Sequence, residues 1–275
     1  MTQDRLREPA RRAFSVPTGL ASHRHAAKLL PMKASETETR NGHPPLGVPF
    51  SVLMPAYNET DVIGTTLAEL LEYLPQDAEV LVAAADHADG SLVRGERSPT
   101  GQTALAGGDR RVRVCDGGGL AEAVRNAAHA ARHELVVVMD ADGQHDPAAV
   151  EEMVAALANG YDLCVGELEQ QGKRWYRMAL TRTSILLTRL RMPRRTRGLR
   201  FPQSGFFGTR RSVLAEALEG MAPHGFKVLI AVLMSRPLRA TGVETVIRDR
   251  VAGESKLNWR TITSDTRLLL RRCGR

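Results

Sequence analysis

Two aspartates separated by one residue directly follow a strongly apolar run in the middle of the chain. The run is VVVM, residues 136–139, and the acids are Asp140 and Asp142. In an extended segment, side chains two residues apart point the same way, so the sequence predicts two adjacent carboxylates. Such a pair is unfavourable unless a positive charge lies between them. A hard divalent cation, Mg²⁺ or Mn²⁺, satisfies both carboxylates and binds a diphosphate at the same time.

Three polar residues after this pair belong either to the same site or to the helix that follows. Gln144 offers a further oxygen ligand, whereas His145 is expected to support the site, because hard cations prefer oxygen. Asp146 precedes Pro147, near which a helix is predicted to begin, so we interpret Asp146 as a helix cap. The alternative is that all three acids cap this helix, but capping does not require two further acids at a strand end. The expected metal ligands are therefore the acid pair and Gln144.

Apolar runs and segments with helical periodicity alternate on both sides of the acid pair. The runs predict strands, and the periodic segments predict helices. The predicted strands are residues 50–55, 78–84, 111–115, 134–140 and 161–166, and the predicted helices are residues 59–74, 120–133 and 147–160. This alternation indicates an α/β fold whose mostly parallel sheet is covered by helices on both faces. Ligands of such sheets bind beyond the carboxyl ends of the strands, which explains why an apolar strand runs directly into acids.

Two regions of the chain show no sustained periodicity. Residues 1–47 are rich in Arg, Ser, Thr and Pro, and we interpret them as a flexible basic tail and linker. Residues 91–108 are rich in Gly, Ser and Arg and are predicted to form an irregular loop. The sequence thus predicts a single domain over residues 48–260, preceded by a disordered tail and followed by a basic tail over residues 261–275.

The composition excludes several classes of protein. A hydrophobic content of 43% is ample for a core, which argues against a disordered chain. No apolar stretch reaches the roughly 18 residues of a membrane-spanning helix, and the first residues lack the apolar segment of a secretory signal. The three scattered cysteines fit neither a disulfide framework nor a cysteine zinc site. We therefore expect a cytoplasmic protein.

A basic segment contributes strongly to the formal net charge of +7. Residues 171–200 contain ten Lys or Arg and no acid, and apolar residues alternate with the arginines. This pattern is typical of an amphipathic helix on an anionic membrane surface, and it predicts a peripheral location at the inner membrane face. The alternative is a helix that packs on the sheet and leaves its arginines solvated. Because aromatic residues make up 4% of the chain and no binding motif is recognisable, nucleic acid is not an expected partner.

Four segments occur in the order, and at about the spacing, of a known family. They are SVLMPAYNETDVI, MDADGQHDP, SGFFGTRR and RVAGESKL. Over residues 50–258 they resemble the family-2 glycosyltransferases, most nearly the dolichol-phosphate or polyprenyl-phosphate mannosyltransferase branch. The resemblance implies a GT-A, Rossmann-like fold and an inverting transfer of a sugar from a nucleotide-diphosphate sugar. It also implies polyprenyl or dolichol phosphate as the acceptor and Mg²⁺ or Mn²⁺ as the cofactor.

The resemblance implies roles for individual residues. The donor nucleotide is expected beside Pro55, Ala56, Tyr57, Asn58 and Glu59, and the metal on Asp140, Asp142 and Gln144. The acceptor side is expected at Ser204, Gly205 and Phe206. A loop that closes over the donor diphosphate is expected to contain Arg250, Gly253, Glu254, Ser255 and Lys256. The expected catalytic residues are Asp142, Arg177, Arg182 and Lys256.

The nucleotide-binding part of the pattern is incomplete in this chain. The second motif of the family begins with paired acids that contact the base and the ribose, but Ala84 and Ala85 stand at these positions. Asp86 and Asp89 are then the carboxylates expected near the donor. The sequence consequently leaves the identity of the donor nucleotide open.

Two further departures concern the acceptor. The family often has an Asp three residues before the SGF segment, and Phe201 stands there instead. The VGEL segment lacks the Arg that follows this strand in the mannosyltransferases, and Lys173 or Arg174 could replace it. A sugar hydroxyl needs a carboxylate base in order to attack, whereas a lipid phosphate, with a second pKa of about 6, is largely ionised at neutral pH. Phe201 therefore favours a phosphate acceptor over a hydroxyl acceptor.

Two alternative functions stay open. A family-2 transferase could act on a hydroxyl of a small molecule or glycan, with Asp249 or Glu254 as the base. A degenerate, non-catalytic GT-A protein could bind a ligand or partner, which Ala84 and Ala85 favour and the intact acid pair opposes. A nucleotidyltransferase is disfavoured, because the first strand leads into PAYNE without a Gly-rich loop.

Overall fold

The apolar runs form a seven-stranded sheet in the computed structural model, which describes residues 47–84, 108–169, 196, 198–219, 228–246 and 248. The strands are β1 (Phe50–Ala56), β2 (Glu79–Ala84), β3 (Val112–Asp116), β4 (Leu135–Val138), β5 (Leu163–Glu169), β6 (Phe207–Arg210) and β7 (Ala240–Val246). The five strands predicted from the sequence correspond to β1 through β5, with their ends shifted by a few residues. Strands β6 and β7 were not predicted as strands.

The sheet is parallel except at β6. Its order is β3-β2-β1-β4-β6-β5-β7, and β6 runs antiparallel to both β4 and β5. Strand β1 lies between β2 and β4, with Leu53 opposite Leu81 on one side and Val138 on the other. Because these three strands are parallel, their carboxyl ends lie at the same edge of the sheet. The predicted α/β class with a mostly parallel sheet is confirmed.

Helices cover both faces of the sheet. They are α1 (Ile63–Tyr73), α2 (Leu120–Ala130), α3 (Ala148–Ala158), α4 (Arg211–Leu218) and α5 (Val228–Ser235). One apolar cluster joins α1 and α3 to strand residues that include Val52 and Val137, and a second cluster joins α2, α4 and α5 to their neighbours Leu53 and Val136. Successive side chains of a strand point to opposite faces, so each central strand contributes to both clusters. This is why β4 is continuously apolar.

Helix α1 begins later than its apolar periodicity predicts. The pattern starts at residue 59, whereas the helix starts at Ile63. Asn58 has a φ of 56°, in the left-handed region that Asn tolerates better than most residues. The carbonyl of Glu59 then accepts hydrogen bonds from the N–H groups of Val62 and Ile63, at 3.0 and 2.8 Å. These residues form a turn that leads the chain from β1 into α1, and apolar spacing does not distinguish such a turn from helix.

A buried carboxylate, Glu79, links several elements at the amino end of β2. Its oxygens accept hydrogen bonds from Ser51 Oγ at 2.9 Å, from the Arg132 N–H at 2.9 Å and from Arg113 Nη1 at 2.5 Å. Burial alone would raise the pKa of Glu79, but these hydrogen bonds outweigh it and hold the pKa below the ordinary value of 4.5. The charged form of Glu79 therefore stabilises the fold by joining β1, β2, β3 and Arg132, two residues beyond α2.

Several predicted segments lie outside the described residues. They are residues 1–46 of the N-terminal tail, nearly all of the loop at 91–108, most of the basic segment at 171–200 and the C-terminal tail at 261–275. The domain boundaries at residues 48 and 260 accordingly stay predictions. Within the described ranges, no helix combines the length and the apolar character needed to cross a membrane.

Candidate functional site

The acid pair follows β4 in a turn, not in an extended segment. Met139 still donates its N–H to the carbonyl of Leu53 at 3.0 Å, so Asp140 is the first residue beyond the sheet. Residues 141 and 142 then form a turn, followed by Gly143 with a φ of 73°. The expectation of an extended segment with both acids on one face was wrong, because the chain bends between the two acids. The Asp140 side chain is 42% exposed, whereas Asp142 is only 6% exposed.

The buried acid stabilises the turn. Asp142 Oδ1 accepts a hydrogen bond from the N–H of Gln144 at 3.1 Å, which closes the turn around Gly143. Short polar side chains commonly hold turns by accepting from the backbone two residues later. We call residues 140–146, which contain both acids and the turn, the acid loop.

His145 lies behind the first acid of the acid loop. Its Nε2 is 3.6 Å from Asp140 Oδ2, and its ring packs against that of Phe206 with centroids 4.7 Å apart. Both His145 and Phe206 are buried. His145 thus contacts a predicted metal ligand, and its supporting role in the site stays a prediction.

The SGF segment packs directly on the acid loop. A Cβ atom placed on Gly205 would lie 2.5 Å from Asp140 Oδ2, so the absence of a side chain there is what admits the carboxylate. The hydroxyl of Ser204 accepts a hydrogen bond from the N–H of Phe206 at 3.1 Å and holds the segment in a turn. The resemblance implied an acceptor-side role for these three residues. The structure places Gly205 against the predicted metal ligand Asp140, and Phe206 against His145.

The PAYNE segment ends β1 and begins the turn before α1. Pro55 and Ala56 are buried and pair with the last two residues of β2. Tyr57 is 56% exposed and Asn58 is exposed, whereas Glu59 is buried. Because β1 and β4 are adjacent and parallel, this segment and the acid loop emerge at the same edge of the sheet. The exposed side chain of Tyr57, directly after β1, is accessible to a ligand at this edge.

Asp146 lies one residue before Pro147, which is the N-cap of α3. Its Oδ1 accepts the N–H of Ala148, the first residue of α3, at 3.2 Å. The same oxygen is 3.2 Å from Nη2 of Arg248. Asp146 therefore stabilises the start of α3, in agreement with the prediction, and it also holds an arginine from the far end of the described chain.

Arg248 is a contact of the acid loop that the sequence did not indicate. Its N–H donates to the carbonyl of Gln144 at 2.9 Å, and its own carbonyl accepts a hydrogen bond from Gln144 Nε2 at 3.3 Å. Its Nη1 also pairs with Glu69 of α1. Gln144 and Arg248 are 104 residues apart, and no spacing pattern connects such positions.

The oxygen donors of the acid loop fit a hard divalent cation. Asp140, Asp142 and Gln144 offer carboxylate and amide oxygens, and the exposed carboxylate of Asp140 is accessible to an ion from solvent. Within the described ranges, no group of three or more His, Cys, Asp or Glu side chains is arranged to hold a metal ion. Binding of a cation through Asp140, Asp142 and Gln144 stays a prediction.

The other predicted site residues lie outside the described residues. They are the donor-side residues Asp86, Asp89, Arg250 and Ser255, the predicted catalytic residues Arg177, Arg182 and Lys256, and the candidates Lys173, Arg174, Asp249 and Glu254. Of the positions that depart from the family pattern, Ala84 ends β2, and Phe201 lies three residues before Ser204 and is partly buried.

Comparison with known proteins places this arrangement among characterised folds. Residues 51–218, more than half of the chain, match the family described as Glycosyl transferase family 2. A dolichol-phosphate mannosyltransferase from Pyrococcus furiosus is 29% identical over 219 residues, which cover 77% of this chain and 60% of that relative. The chain thus spans about three fifths of the length of that relative. A dolichol-phosphate mannosyltransferase from Saccharomyces cerevisiae is 27% identical over 237 residues, covering 79% of this chain and 84% of the relative.

A solved structure shares the fold. It is glucosyl-3-phosphoglycerate synthase from Mycobacterium tuberculosis in complex with Mn²⁺, uridine-diphosphate-glucose and phosphoglyceric acid. It aligns with a TM-score of 0.55 at 18% identity, covering 82% of this chain and 78% of that one. The GT-A fold expected from the sequence is confirmed.

Proposed function

The chain belongs to glycosyl transferase family 2, and on this basis we propose that it transfers a sugar from a nucleotide-diphosphate sugar to a polyprenyl or dolichol phosphate. The observation that carries the proposal is the acid loop, held by the SGF segment at the sheet edge where PAYNE also ends. The donor class is supported by the uridine-diphosphate-glucose and Mn²⁺ in the mycobacterial synthase of the same fold. The acceptor class is supported by the names of the Pyrococcus and yeast relatives.

In this proposal Asp140, Asp142 and Gln144 would hold Mg²⁺ or Mn²⁺. When bound, the cation would offset the negative charge of the departing diphosphate. PAYNE would bind the nucleotide at the end of β1. Lys256 and Arg250, with Ser255, would hold the diphosphate, since an ammonium and a guanidinium suit phosphate oxygens.

The transfer step needs no protein base if the acceptor is a phosphate. An ionised phosphate oxygen, oriented by Arg177 and Arg182, would attack the anomeric carbon on the face opposite the leaving group. The new carbon–oxygen bond forms as the bond to the diphosphate breaks, and the nucleoside diphosphate leaves with the electron pair. Phe201 supports this acceptor class, because it stands where the family often has a carboxylate.

The acceptor would reach the site at a membrane surface. The basic segment at 171–200 carries ten cationic side chains and no acid, which suits anionic lipid around a polyprenyl phosphate. We therefore propose nucleotide-diphosphate sugar and polyprenyl phosphate as the partners, with anionic membrane as the surface on which they meet.

The test is a transfer assay with a panel of nucleotide sugars. The full chain would be incubated with polyprenyl phosphate in anionic liposomes and with Mg²⁺ or Mn²⁺, and sugar on the extracted lipid would be measured. Asp142→Asn should reduce transfer on the order of 100-fold or more, because a metal contributes several kcal/mol to charge stabilisation. The matched control is Asp77→Asn, an exposed acid just before β2, which should leave transfer unchanged.

Three outcomes would count against the proposal. Full transfer by Asp142→Asn would refute the metal assignment. Transfer to a sugar or glycan hydroxyl, but not to the lipid phosphate, would show that the acceptor is a hydroxyl compound and not a lipid phosphate. Binding of nucleotide without transfer to any acceptor would instead support a non-catalytic GT-A protein, the function that Ala84 at the end of β2 favours.

A further inference from the structure

Arg248 contacts the acid loop through both its backbone and its side chain. The backbone N–H and carbonyl both bond to Gln144, at 2.9 and 3.3 Å, while the guanidinium pairs with Asp146 and Glu69. Arg248 lies two residues beyond β7, which is separated from β4 in the sheet by β6 and β5. Arg248 is therefore held at the loop that follows β4 by four polar contacts.

The carbonyl of Arg248 determines which way the Gln144 amide faces. A carbonyl oxygen only accepts hydrogen bonds, so the amide corner that faces it must be the nitrogen, Nε2. The oxygen Oε1 then lies at the other corner of the amide group. Rotation of the amide by half a turn would bring two oxygens together and lose the hydrogen bond. Only the oxygen of an amide binds a hard cation, so this contact sets the direction of the predicted ligand atom.

The guanidinium of Arg248 keeps the carbonyl in this place. Its two terminal nitrogens pair with carboxylates from two different elements, Glu69 of α1 and Asp146 just before α3. All three side chains are partly exposed, and exposed ion pairs contribute little to stability. Removal of the side chain should therefore loosen the position of the Arg248 backbone without unfolding the domain.

We infer that Arg248 is a positioning residue for the metal site, which orients the Gln144 amide so that its oxygen serves as a ligand beside Asp140 and Asp142. The inference rests on the proposed function, since it assumes that the acid loop binds Mg²⁺ or Mn²⁺. Arg248 acts through Gln144 and Asp146, both of which it contacts, and it is assigned no contact with the cation.

The experiment measures Mn²⁺ binding without turnover. Free Mn²⁺ would be followed by its electron paramagnetic resonance signal during titration of the full chain, first alone and then with UDP or GDP, in the absence of any acceptor. Residues that orient a metal ligand typically change metal affinity 10–100-fold, so Arg248→Ala should weaken Mn²⁺ binding by about 10-fold. Glu69→Gln leaves the arginine and the acid loop intact and removes one anchor, so it should weaken binding by about threefold.

The matched control removes another arginine that pairs with a glutamate. Arg236 follows α5 and Glu216 lies in α4, and their side chains are 3.5 Å apart and largely exposed. Arg236→Gln should bind Mn²⁺ as the wild type does. Arg248→Lys, which retains the charge and can reach one carboxylate, should have an affinity between those of the wild type and Arg248→Ala.

The outcomes separate this inference from the proposed function. If the wild type binds no Mn²⁺, with or without nucleotide, both the metal assignment of the proposed function and the inference about Arg248 are wrong. If the wild type binds Mn²⁺ and Arg248→Ala binds equally well, only the inference fails. Equal weakening by Arg236→Gln would also overturn it, because the effect would then be one of net charge. If Arg248→Ala does not fold, unchanged affinity in both Glu69→Gln and Arg248→Lys overturns it.

Discussion

Substitution of Gly205 by alanine tests whether the SGF segment controls the position of Asp140. The added Cβ would lie 2.5 Å from Asp140 Oδ2, and contacts of this kind below 3.0 Å are essentially absent from folded proteins. The carboxylate must therefore retreat by about 0.5 Å to reach 3.0 Å and by about 0.9 Å to reach an ordinary contact of 3.4 Å. The φ of Gly205 is outside the left-handed region, so the backbone itself accepts alanine.

Gly205→Ala should have a small effect on the stability of the domain and a larger effect on Mn²⁺ binding. Because the Asp140 side chain is 42% exposed, it can rotate away, and a strained rotamer costs about 1 kcal/mol, which is the expected fall in the free energy of unfolding. Misplacement of a reacting or ligating group by about 1 Å costs up to 100-fold in function. Gly205→Ala should therefore weaken Mn²⁺ binding by about 10-fold to 100-fold while it leaves the domain folded. Calorimetric titration of Mn²⁺ with nucleotide, and urea denaturation, measure the two effects.

A double-mutant cycle isolates the contact. Gly205→Ala should lower the free energy of unfolding when Asp140 is present. It should have no such effect in the Asp140→Ala background, where the clashing carboxylate is absent. The coupling free energy between the two substitutions should therefore be about 1 kcal/mol. The matched control is Gly242→Ala, whose Cβ would also lie 2.5 Å from a carboxylate, that of Glu167, outside the acid loop. This variant should bind Mn²⁺ normally. Additive destabilisation in the cycle, or normal Mn²⁺ binding by Gly205→Ala, would refute the reasoning.

One buried and one partly buried carboxyl group carry the remaining predictions, both measured by urea denaturation across pH. Glu79→Gln should lower the free energy of unfolding at pH 7 by about 2 kcal/mol, because it leaves the Arg113 guanidinium without its charged acceptor. Because the pKa of Glu79 in the folded state lies below 4.5, this difference in the free energy of unfolding is present above pH 4.5. It is lost as the pH falls through the folded-state pKa, so a difference as large at pH 3 as at pH 7 would contradict the prediction. Burial raises the pKa of Glu151 to about 7, so its ionisation opposes folding and wild-type stability falls as pH rises from 4.5 to 7. The free energy of unfolding of Glu151→Gln should exceed that of the wild type by on the order of 2 kcal/mol at pH 8 and equal it at pH 4. A difference that does not change with pH would contradict this prediction.

Those strands of the sheet that are buried on both faces could be predicted from the sequence. Continuous apolar runs such as residues 135–138 indicate a central parallel strand, because helices on both sides leave no polar face. Strand β6, FGTR, is short and carries polar residues, and its antiparallel pairing with β4 depends on contacts between residues about 70 positions apart. Local patterns contain no information about such pairing, so β6, β7 and the strand order could not be predicted.

The acid loop was predicted in its residues but not in its shape. The spacing of Asp140 and Asp142 correctly places both at the end of β4, because strand period and apolar content are local properties. The bend between them depends on the hydrogen bond from the Gln144 N–H to Asp142 and on the left-handed Gly143. A glycine after an acid is compatible with a turn, but an extended segment is equally compatible with the one-residue spacing.

The shape of the acid loop is determined mainly by segments that are distant in the sequence. Within the loop, the N–H of Gln144 donates a hydrogen bond to Asp142. The positions of Asp140 and His145 depend on Gly205 and Phe206, which contact them from the SGF segment. The amide of Gln144 depends on Arg248, which is farther still along the chain.

Each of these distant contacts acts by a different physical means. Gly205 acts through the absence of a side chain, Phe206 through ring packing, and Arg248 through hydrogen bonds and charge. Two acids spaced by one residue can occur in any turn or helix cap, and nothing in that short motif specifies these supports. The motif becomes informative only when an SGF segment and Arg248, which lies beyond β7, contact it. These contacts hold its side chains where a cation and a diphosphate could bind.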